Sequence, residues 1–114
     1  PPEGQAPPRT GVLPRLRQRR ISRPVRYVFD PAKDALNRAK HGVSLALAEV
    51  LFSGAHVLAT DDRFDYGEVR ELAFGLIQGR LFVCVYADRD VERRVISLRK
   101  ANKREVKRYG QDLE

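Results

Sequence analysis

The fold is decided by residues 67–109, which read GEVRELAFGLIQGRLFVCVYADRDVERRVISLRKANKREVKRY. Two apolar segments, Glu68–Ile77 and Arg80–Tyr86, are joined by Gln78-Gly79, a dipeptide suited to a hairpin turn because glycine takes positive φ without strain. A short turn leads into Arg93–Arg99, which alternates apolar and polar residues as a strand does. The pattern predicts three antiparallel strands in sequence order, closed by a basic helix.

The middle strand, Arg80–Tyr86, is the most apolar and is predicted to lie at the centre of the sheet. Strand alternation predicts that one face of the third strand carries Arg94, Ile96 and Leu98. The other face would carry Arg93, Val95, Ser97 and Arg99. In the closing helix, Ala101–Tyr109, a spacing of four residues predicts that Ala101, Glu105 and Tyr109 stack along one side.

A short strand and a helix are predicted upstream. Val25–Phe29 alternates as a strand, and Asp30 followed by Pro31 is typical of a helix start. Gly42 is predicted to end this helix in the left-handed conformation. Apolar side chains recur at helical spacing and predict its buried side: Ala32, Ala35, Leu36 and Ala39.

A second short helix, Leu45–Ser53, is predicted to begin after the capping residue Ser44, with Leu47, Val50 and Leu51 turned inward. A strand over His56–Thr60 and a polar loop follow, and the acids of that loop do not have calcium-loop spacing. The order β-α-α-β-β-β-β-α predicts an α+β fold. Helices would cover one side of a mostly antiparallel sheet of four or five strands.

The chain has 114 residues, which predicts one domain, over residues 25–114, preceded by a disordered Pro/Arg-rich arm over residues 1–24. The net charge is +7. Residues 1–26 hold seven Arg and one Glu, so +6 of this charge lies there and +1 remains for the rest. The overall charge is therefore mainly a property of the arm, which could bind phosphate or be solvated without a role.

Several classes of function are disfavoured by the residues themselves. The two histidines and the single cysteine, Cys84, do not have zinc-site spacing, so no metal or cofactor is predicted. No phosphate-binding glycine loop is present. Cys84 lies in an apolar strand and is predicted to be a buried, inert thiol. No segment is apolar enough for a signal peptide or a membrane span, and a cytoplasmic protein is expected.

A local cluster of basic residues remains at the junction of the third strand and the closing helix. Guanidinium groups suit phosphate because their planar donors match two phosphate oxygens. A metal-free cleavage of RNA needs little more: a ribose 2′-OH attacks the adjacent phosphate, cations stabilise the developing charge, and Glu, Tyr or Lys moves a proton. The alternative is an ordinary solvated helix surface.

Several blocks of residues follow one another in a characteristic order: Lys40-His41-Gly42-Val43-Ser44, Asp65-Tyr66-Gly67-Glu68 with Arg70, Gly79-Arg80, and Arg94–Ala101 with Glu105 and Tyr109. In these blocks the chain resembles the BrnT family of type II toxins. Phe29-Asp30 with Lys33 and Asn37 matches in the first helix, and Ala48 with Phe52 in the second. Leu98 departs from the family pattern, in which a small residue is commoner there.

The resemblance implies a RelE-like fold and a ribonuclease that arrests translation. It also implies a BrnA-type antitoxin, which forms a heterotetramer with the toxin and binds DNA. Carried over by position, the catalytic candidates are Arg70, Arg80, Arg99, Glu105 and Tyr109. Candidates for RNA binding are Arg94, Lys100, Lys103 and Arg104. The role of Lys40-His41 stays open, between a structural hydrogen bond and a general base.

Two other functions fit the same residues. A non-catalytic module with this fold would bind RNA or a partner protein, and RNA binding would depend steeply on salt without any cleaved product. A scaffold that mainly pairs with a partner protein would expose an apolar patch.

Overall fold

The computed structural model describes residues 25–61 and 67–113, so the predicted arm and most of the polar loop after Asp61 lie outside the described residues. The strands are β1 (Arg26–Val28), β2 (His56–Asp61), β3 (Arg70–Ile77), β4 (Arg80–Arg89) and β5 (Glu92–Lys100). The helices are α1 (Pro31–His41), α2 (Ala48–Ser53) and α3 (Lys103–Tyr109), and two 3₁₀ turns cover Leu45–Leu47 and Gly110–Leu113. The α+β class is confirmed.

The five strands form one mixed sheet in the order β1-β5-β4-β3-β2, so β4 is central as predicted. The pairs β2–β3, β3–β4 and β4–β5 are antiparallel. β1 instead pairs with β5 in parallel, through Arg26 to Val28. No helix in these two described ranges is long and apolar enough to cross a membrane.

Both faces of the sheet are packed, which corrects the prediction that helices cover one side only. On the first face, Leu45, Ala48 and Leu51 pack against side chains of the sheet that include Ala73 and Cys84. On the second face, Val57, Phe74, Leu81 and Val83 pack with Ala101, Tyr109 and Leu113. The C-terminal segment therefore folds back over the side of the sheet opposite to α2 and the turn before it.

A β-bulge in β5 overturns the predicted alternation of that strand. Val85 pairs with Ser97, whereas the next residue, Tyr86, pairs with Val95, so Ile96 is an extra residue between them. The extra residue reverses the alternation on either side of the bulge. Val95 and Leu98 consequently share the first face with α2, although strand alternation predicted opposite faces.

α1 is turned the opposite way from the prediction. Its apolar residues Ala32, Ala35, Leu36 and Ala39 are all exposed, Leu36 by 69%. The buried residue of this helix is Asn37. Its side-chain amide donates to the Leu98 carbonyl over 2.8 Å, and its oxygen accepts from the Leu98 N–H over 3.1 Å. Asn37 thus satisfies backbone groups of β5 beyond the end of the short β1, which an apolar side chain cannot do.

The helix ends agree better with the prediction. The Asp30 side chain accepts from the Ala32 N–H over 2.9 Å, and Gly42 ends α1 with a φ of 78°. Ser44 caps the following turn as predicted. α3 begins at Lys103, two residues later than predicted.

The burial of individual side chains agrees in part with the burial predicted from the sequence. Leu51 and Cys84 are fully buried as predicted, and burial raises the pKa of the Cys84 thiol to about 12. Val50, which was predicted to face inward, is exposed.

Candidate active site

The second face of the sheet gathers charged side chains at positions that the strand register determines. Arg94 lies opposite Ala87, and Arg99 lies opposite Val83, on adjacent strands β4 and β5. Directly opposed residues share a face, and the bulge between the two arginines places both on the second face. Arg70 lies on this face too, because it alternates with Leu72 and Phe74 along β3.

Glu68 joins two of these arginines. Its carboxylate accepts a short hydrogen bond from Arg94 and a longer one, of 3.3 Å, from the Nε of Arg70. Hydrogen bonding by Arg94, followed by that of Arg70, lowers the pKa of Glu68 below its ordinary value. The side chains stay partly accessible, with 45% of Arg94 and 33% of Glu68 exposed. We call Glu68, Arg70 and Arg94 the Glu68 cluster.

A second ion pair holds the junction of β5 and α3. Arg99 donates to both carboxylate oxygens of Glu105, over 2.8 and 2.9 Å, in a bidentate arrangement. Glu105 also accepts from the backbone N–H of Asn102, whose side chain in turn accepts from the Glu105 N–H. This reciprocal capping box fixes the Glu105 carboxylate at the start of α3 and thereby orients Arg99.

Tyr109 is positioned by packing. Its ring stacks on Phe74 with the centroids 3.9 Å apart, and the Arg108 guanidinium lies 5.5 Å from its centroid. Since α3 is only seven residues long, this stack is a major contact that holds the helix on the sheet.

The structure places Arg80 and Lys100 on the other face of the sheet from the Glu68 cluster and the Arg99–Glu105 ion pair. Arg80 pairs with Ile77, whose side chain packs on the first face, and the eight residues of β3 place it about 23 Å from Arg70. Lys100 lies opposite Phe82, also on the first face. Lys103 and Arg104 are exposed in the first turn of α3, next in sequence to Glu105.

His41 is the histidine on which the charge of Arg99 acts. It is the last residue of α1, one turn after Asn37, and is partly buried. Burial lowers its pKa from the ordinary value of 6.5, and the charges of Lys40 and Arg99 lower it further. Because the charge of Arg99 acts on this imidazole, His41 is a candidate proton acceptor for chemistry at Arg99. The sequence left its role open because it could not show that Arg99 is close.

The first face holds a different kind of arginine site. The Arg93 guanidinium donates to Asp88 over 2.7 and 2.9 Å and lies 4.3 Å from the ring centroid of Phe52. The ring of Tyr86 lies 4.8 Å from the same guanidinium. Enclosed by these partners, Arg93 stabilises the packing of β5 and has little surface left for a ligand.

Sequence reasoning missed Glu68 as part of the site. It stands in the Asp65-Tyr66-Gly67-Glu68 block, two residues before Arg70. This spacing was the feature of the sequence that could have indicated an ion pair between the two. Its second partner, Arg94, is 26 residues away and is brought close only by the sheet. Among residues 25–61 and 67–113, no three His, Cys, Asp or Glu side chains come together as a metal site requires.

Together these residues define an α+β protein with guanidinium groups arrayed on an accessible sheet face, an arrangement suited to a polyanion. A family model described as "Ribonuclease toxin, BrnT, of type II toxin-antitoxin system" matches residues 29–105, which include the Glu68 cluster and the Arg99–Glu105 ion pair. The chain belongs to this family of ribonuclease toxins. No curated protein sequence matches it.

Proposed function

We propose that this chain is a metal-independent endoribonuclease toxin that arrests translation in the cytoplasm. The toxin would be a single domain over residues 25–114 with a RelE-like fold. The observation that carries the proposal is the shared sheet face of Arg70, Arg94 and Arg99, with Glu105 held beside Arg99. Family membership supports the ribonuclease activity independently of this geometry.

In the proposed mechanism the RNA supplies its own nucleophile. The ribose 2′-OH gives its proton to a base and attacks the adjacent phosphorus. The bond to the 5′-oxygen of the next nucleotide breaks, that oxygen takes up a proton to become a 5′-OH, and a 2′,3′-cyclic phosphate remains. Arg99 stabilises the negative charge on the non-bridging oxygens, because its guanidinium is already oriented by Glu105. Arg70 and Arg94 hold the neighbouring phosphates of the strand.

Two side chains next to Arg99 are suited to the proton transfers. Glu105 lies within hydrogen-bond distance of Arg99, and 19% of its side chain is exposed. His41 has a lowered pKa near the same guanidinium, so it is the second candidate for the base. We assign Tyr109 to packing in this scheme, because its ring is stacked on Phe74.

The remaining basic candidates are less suited to a role in the reaction: Arg80, Lys100, Lys103 and Arg104. Arg80 and Lys100 lie on the first face, so they would contact only an RNA strand that passes around the edge of the sheet. Lys103 and Arg104 are exposed beside Glu105 and would steer the RNA backbone electrostatically.

We also propose that a BrnA-type antitoxin neutralises this chain, in a heterotetramer that binds DNA through the antitoxin. The support is membership of a toxin–antitoxin family. Exposed apolar side chains on the described part of the chain, which include Leu36 and Val69, are available for a protein partner to cover.

The test is induction of the chain in bacteria followed by primer extension on total RNA. Wild type should stop growth and produce new RNA 5′ ends, whereas Arg99→Ala should do neither. Arg26→Ala is the matched control, since Arg26 is likewise ion-paired, to Glu92, but lies beside the first residue of β5, at the other end of that strand from Arg99. Folded, well-expressed wild type that leaves growth and RNA intact would contradict the proposal.

Cleavage by the purified protein separates the catalytic function from a non-catalytic one. An RNA should be cut in the presence of EDTA, and the same RNA with a 2′-O-methyl group at the cleaved position should resist. Salt-dependent binding without any product would instead favour the RNA-binding module.

A further inference from the structure

Glu68 places a carboxylate beside the two arginines that the proposed mechanism assigns to RNA phosphates. It receives hydrogen bonds from two guanidinium groups, those of Arg70 and Arg94, which come from different strands. A phosphodiester carries the same single negative charge and likewise offers two oxygens to such donors. The cluster therefore has the charge and the donor arrangement of a phosphate site that is occupied by a side chain of the protein.

The two ion-pair systems on this face differ in how firmly they are held. The Glu105 carboxylate is fixed by Arg99 and by the capping box with Asn102. Glu68 precedes β3, outside any helix or strand, and a third of its side chain is exposed. Exposed ion pairs are weak because water and salt screen them, so an incoming anion can replace one partner.

We propose that Glu68 is a displaceable counterion that reserves Arg70 and Arg94 for an RNA phosphate. Without RNA, its carboxylate orients the two guanidinium groups and neutralises part of their charge. When a strand binds, a backbone phosphate takes the place of the carboxylate. Glu68 thereby weakens RNA binding and raises the selectivity for strands that place a phosphate at this point. The inference rests on the proposed function, since it assigns a regulatory role within the same site.

A binding experiment with a strand that cannot be cleaved tests this role. The probe is a fluorescent single-stranded 2′-O-methyl RNA, and anisotropy is recorded over a series of salt concentrations. Glu68→Gln should bind this probe about tenfold more tightly than wild type at low salt, because two guanidinium groups lose their competing carboxylate. The plot of log affinity against log salt should steepen by about 0.7, because no displaced carboxylate is left to take up a cation and offset one of those released from the RNA.

Glu49→Gln is the matched control, because it changes the net charge equally from an exposed residue of α2, a helix that packs on the first face. It should alter affinity less than about twofold and leave the salt slope unchanged. In an Arg94→Gln background, Glu68→Gln should lose most of its effect, since one of the two released donors is missing. Circular dichroism on each variant checks that it is folded.

The outcomes separate the inference from the proposed function. If wild type cleaves RNA but Glu68→Gln binds no more tightly than Glu49→Gln, the counterion role is overturned and the ribonuclease proposal stands. Weaker binding by folded Glu68→Gln also overturns it, because Glu68 would then be needed for binding. If wild type cleaves no RNA but Glu68→Gln tightens binding and steepens the salt slope, the counterion role is supported and only the catalytic proposal fails.

Discussion

Asn37 shows how one polar residue can replace part of a missing strand. It is 5% exposed and contacts both backbone polar groups of Leu98, and its amide also donates to the Val43 carbonyl over 3.0 Å. A buried backbone group without a partner is costly, so the position favours a side chain that both donates and accepts.

Asn37→Ala should destabilise the fold by about 3 kcal/mol, because two carbonyls and one N–H lose their partner. Urea denaturation followed by circular dichroism measures the change. Asn102→Ala is a useful comparison, since it removes a helix cap at the surface and should cost about 1 kcal/mol. An Asn37 variant as stable as wild type would contradict the role given to this side chain.

His41 is expected to titrate below its ordinary pKa of 6.5, because burial and the charges of Lys40 and Arg99 oppose its protonation. NMR titration of the imidazole measures this directly. Lys40→Gln should raise the pKa, since it removes one of the opposing charges. The folded state resists protonation more than the unfolded chain, so the contribution of His41 to stability falls as the pH drops through 6.5 toward its folded pKa. A wild-type pKa at or above 6.5 would exclude this environment.

α1 shows that helical periodicity identifies a stripe but not which side of it is buried. The predicted stripe faces outward, and the helix is held by Asn37 and Asp34 instead. Asp34 accepts from the Leu45 N–H over 2.7 Å and from the Ser44 hydroxyl over 2.9 Å. The polar contacts to the neighbouring turn and to the edge of β5 stabilise this orientation of α1 more than burial of the alanine-rich stripe would, because that stripe has little apolar area to bury.

The two helices should therefore respond differently to loss of a leucine. Leu51→Ala should cost about 2–5 kcal/mol, because Leu51 is fully buried against the sheet. Leu36→Ala should change stability by less than about 0.5 kcal/mol, because its side chain is mostly exposed. Thermal denaturation of both variants gives the comparison. A large loss of stability on truncating Leu36 would show that α1 is turned as the periodicity alone predicted.

At the scale of the molecule, two carboxylates with lowered pKa values make the free energy of unfolding depend on pH in the acidic range. Hydrogen bonding by the Leu45 N–H is the main cause of the lowered pKa of Asp34, and Arg94 has this effect on Glu68. Both groups hold their protons less tightly in the folded state than in the unfolded chain. Their contribution is complete above their ordinary values of 3.8 and 4.5, and is lost as the pH falls through the lower folded values.

The free energy of unfolding should therefore decrease on acidification between about pH 5 and pH 3. Urea denaturation at several pH values measures it. Asp34→Asn should be less stable at neutral pH and should show a shallower decrease, because this side chain no longer titrates. An equally steep decrease in the variant would show that Asp34 does not contribute to the acid dependence.

Local chemistry in the sequence was enough to determine the α+β class, the central position of β4, the helix start at Asp30 and the left-handed stop at Gly42. These features depend on neighbours within a few residues. The bulge at Ile96, the burial of Asn37 and the bridge from Glu68 to Arg94 were decided only by the tertiary structure. Each depends on a partner far away in the chain: a facing strand, an unpaired strand edge, or an arginine that the sheet brings close. Arg70, Arg94 and Arg99 could thus be proposed from the sequence, whereas their shared face and the part played by Glu68 required the fold.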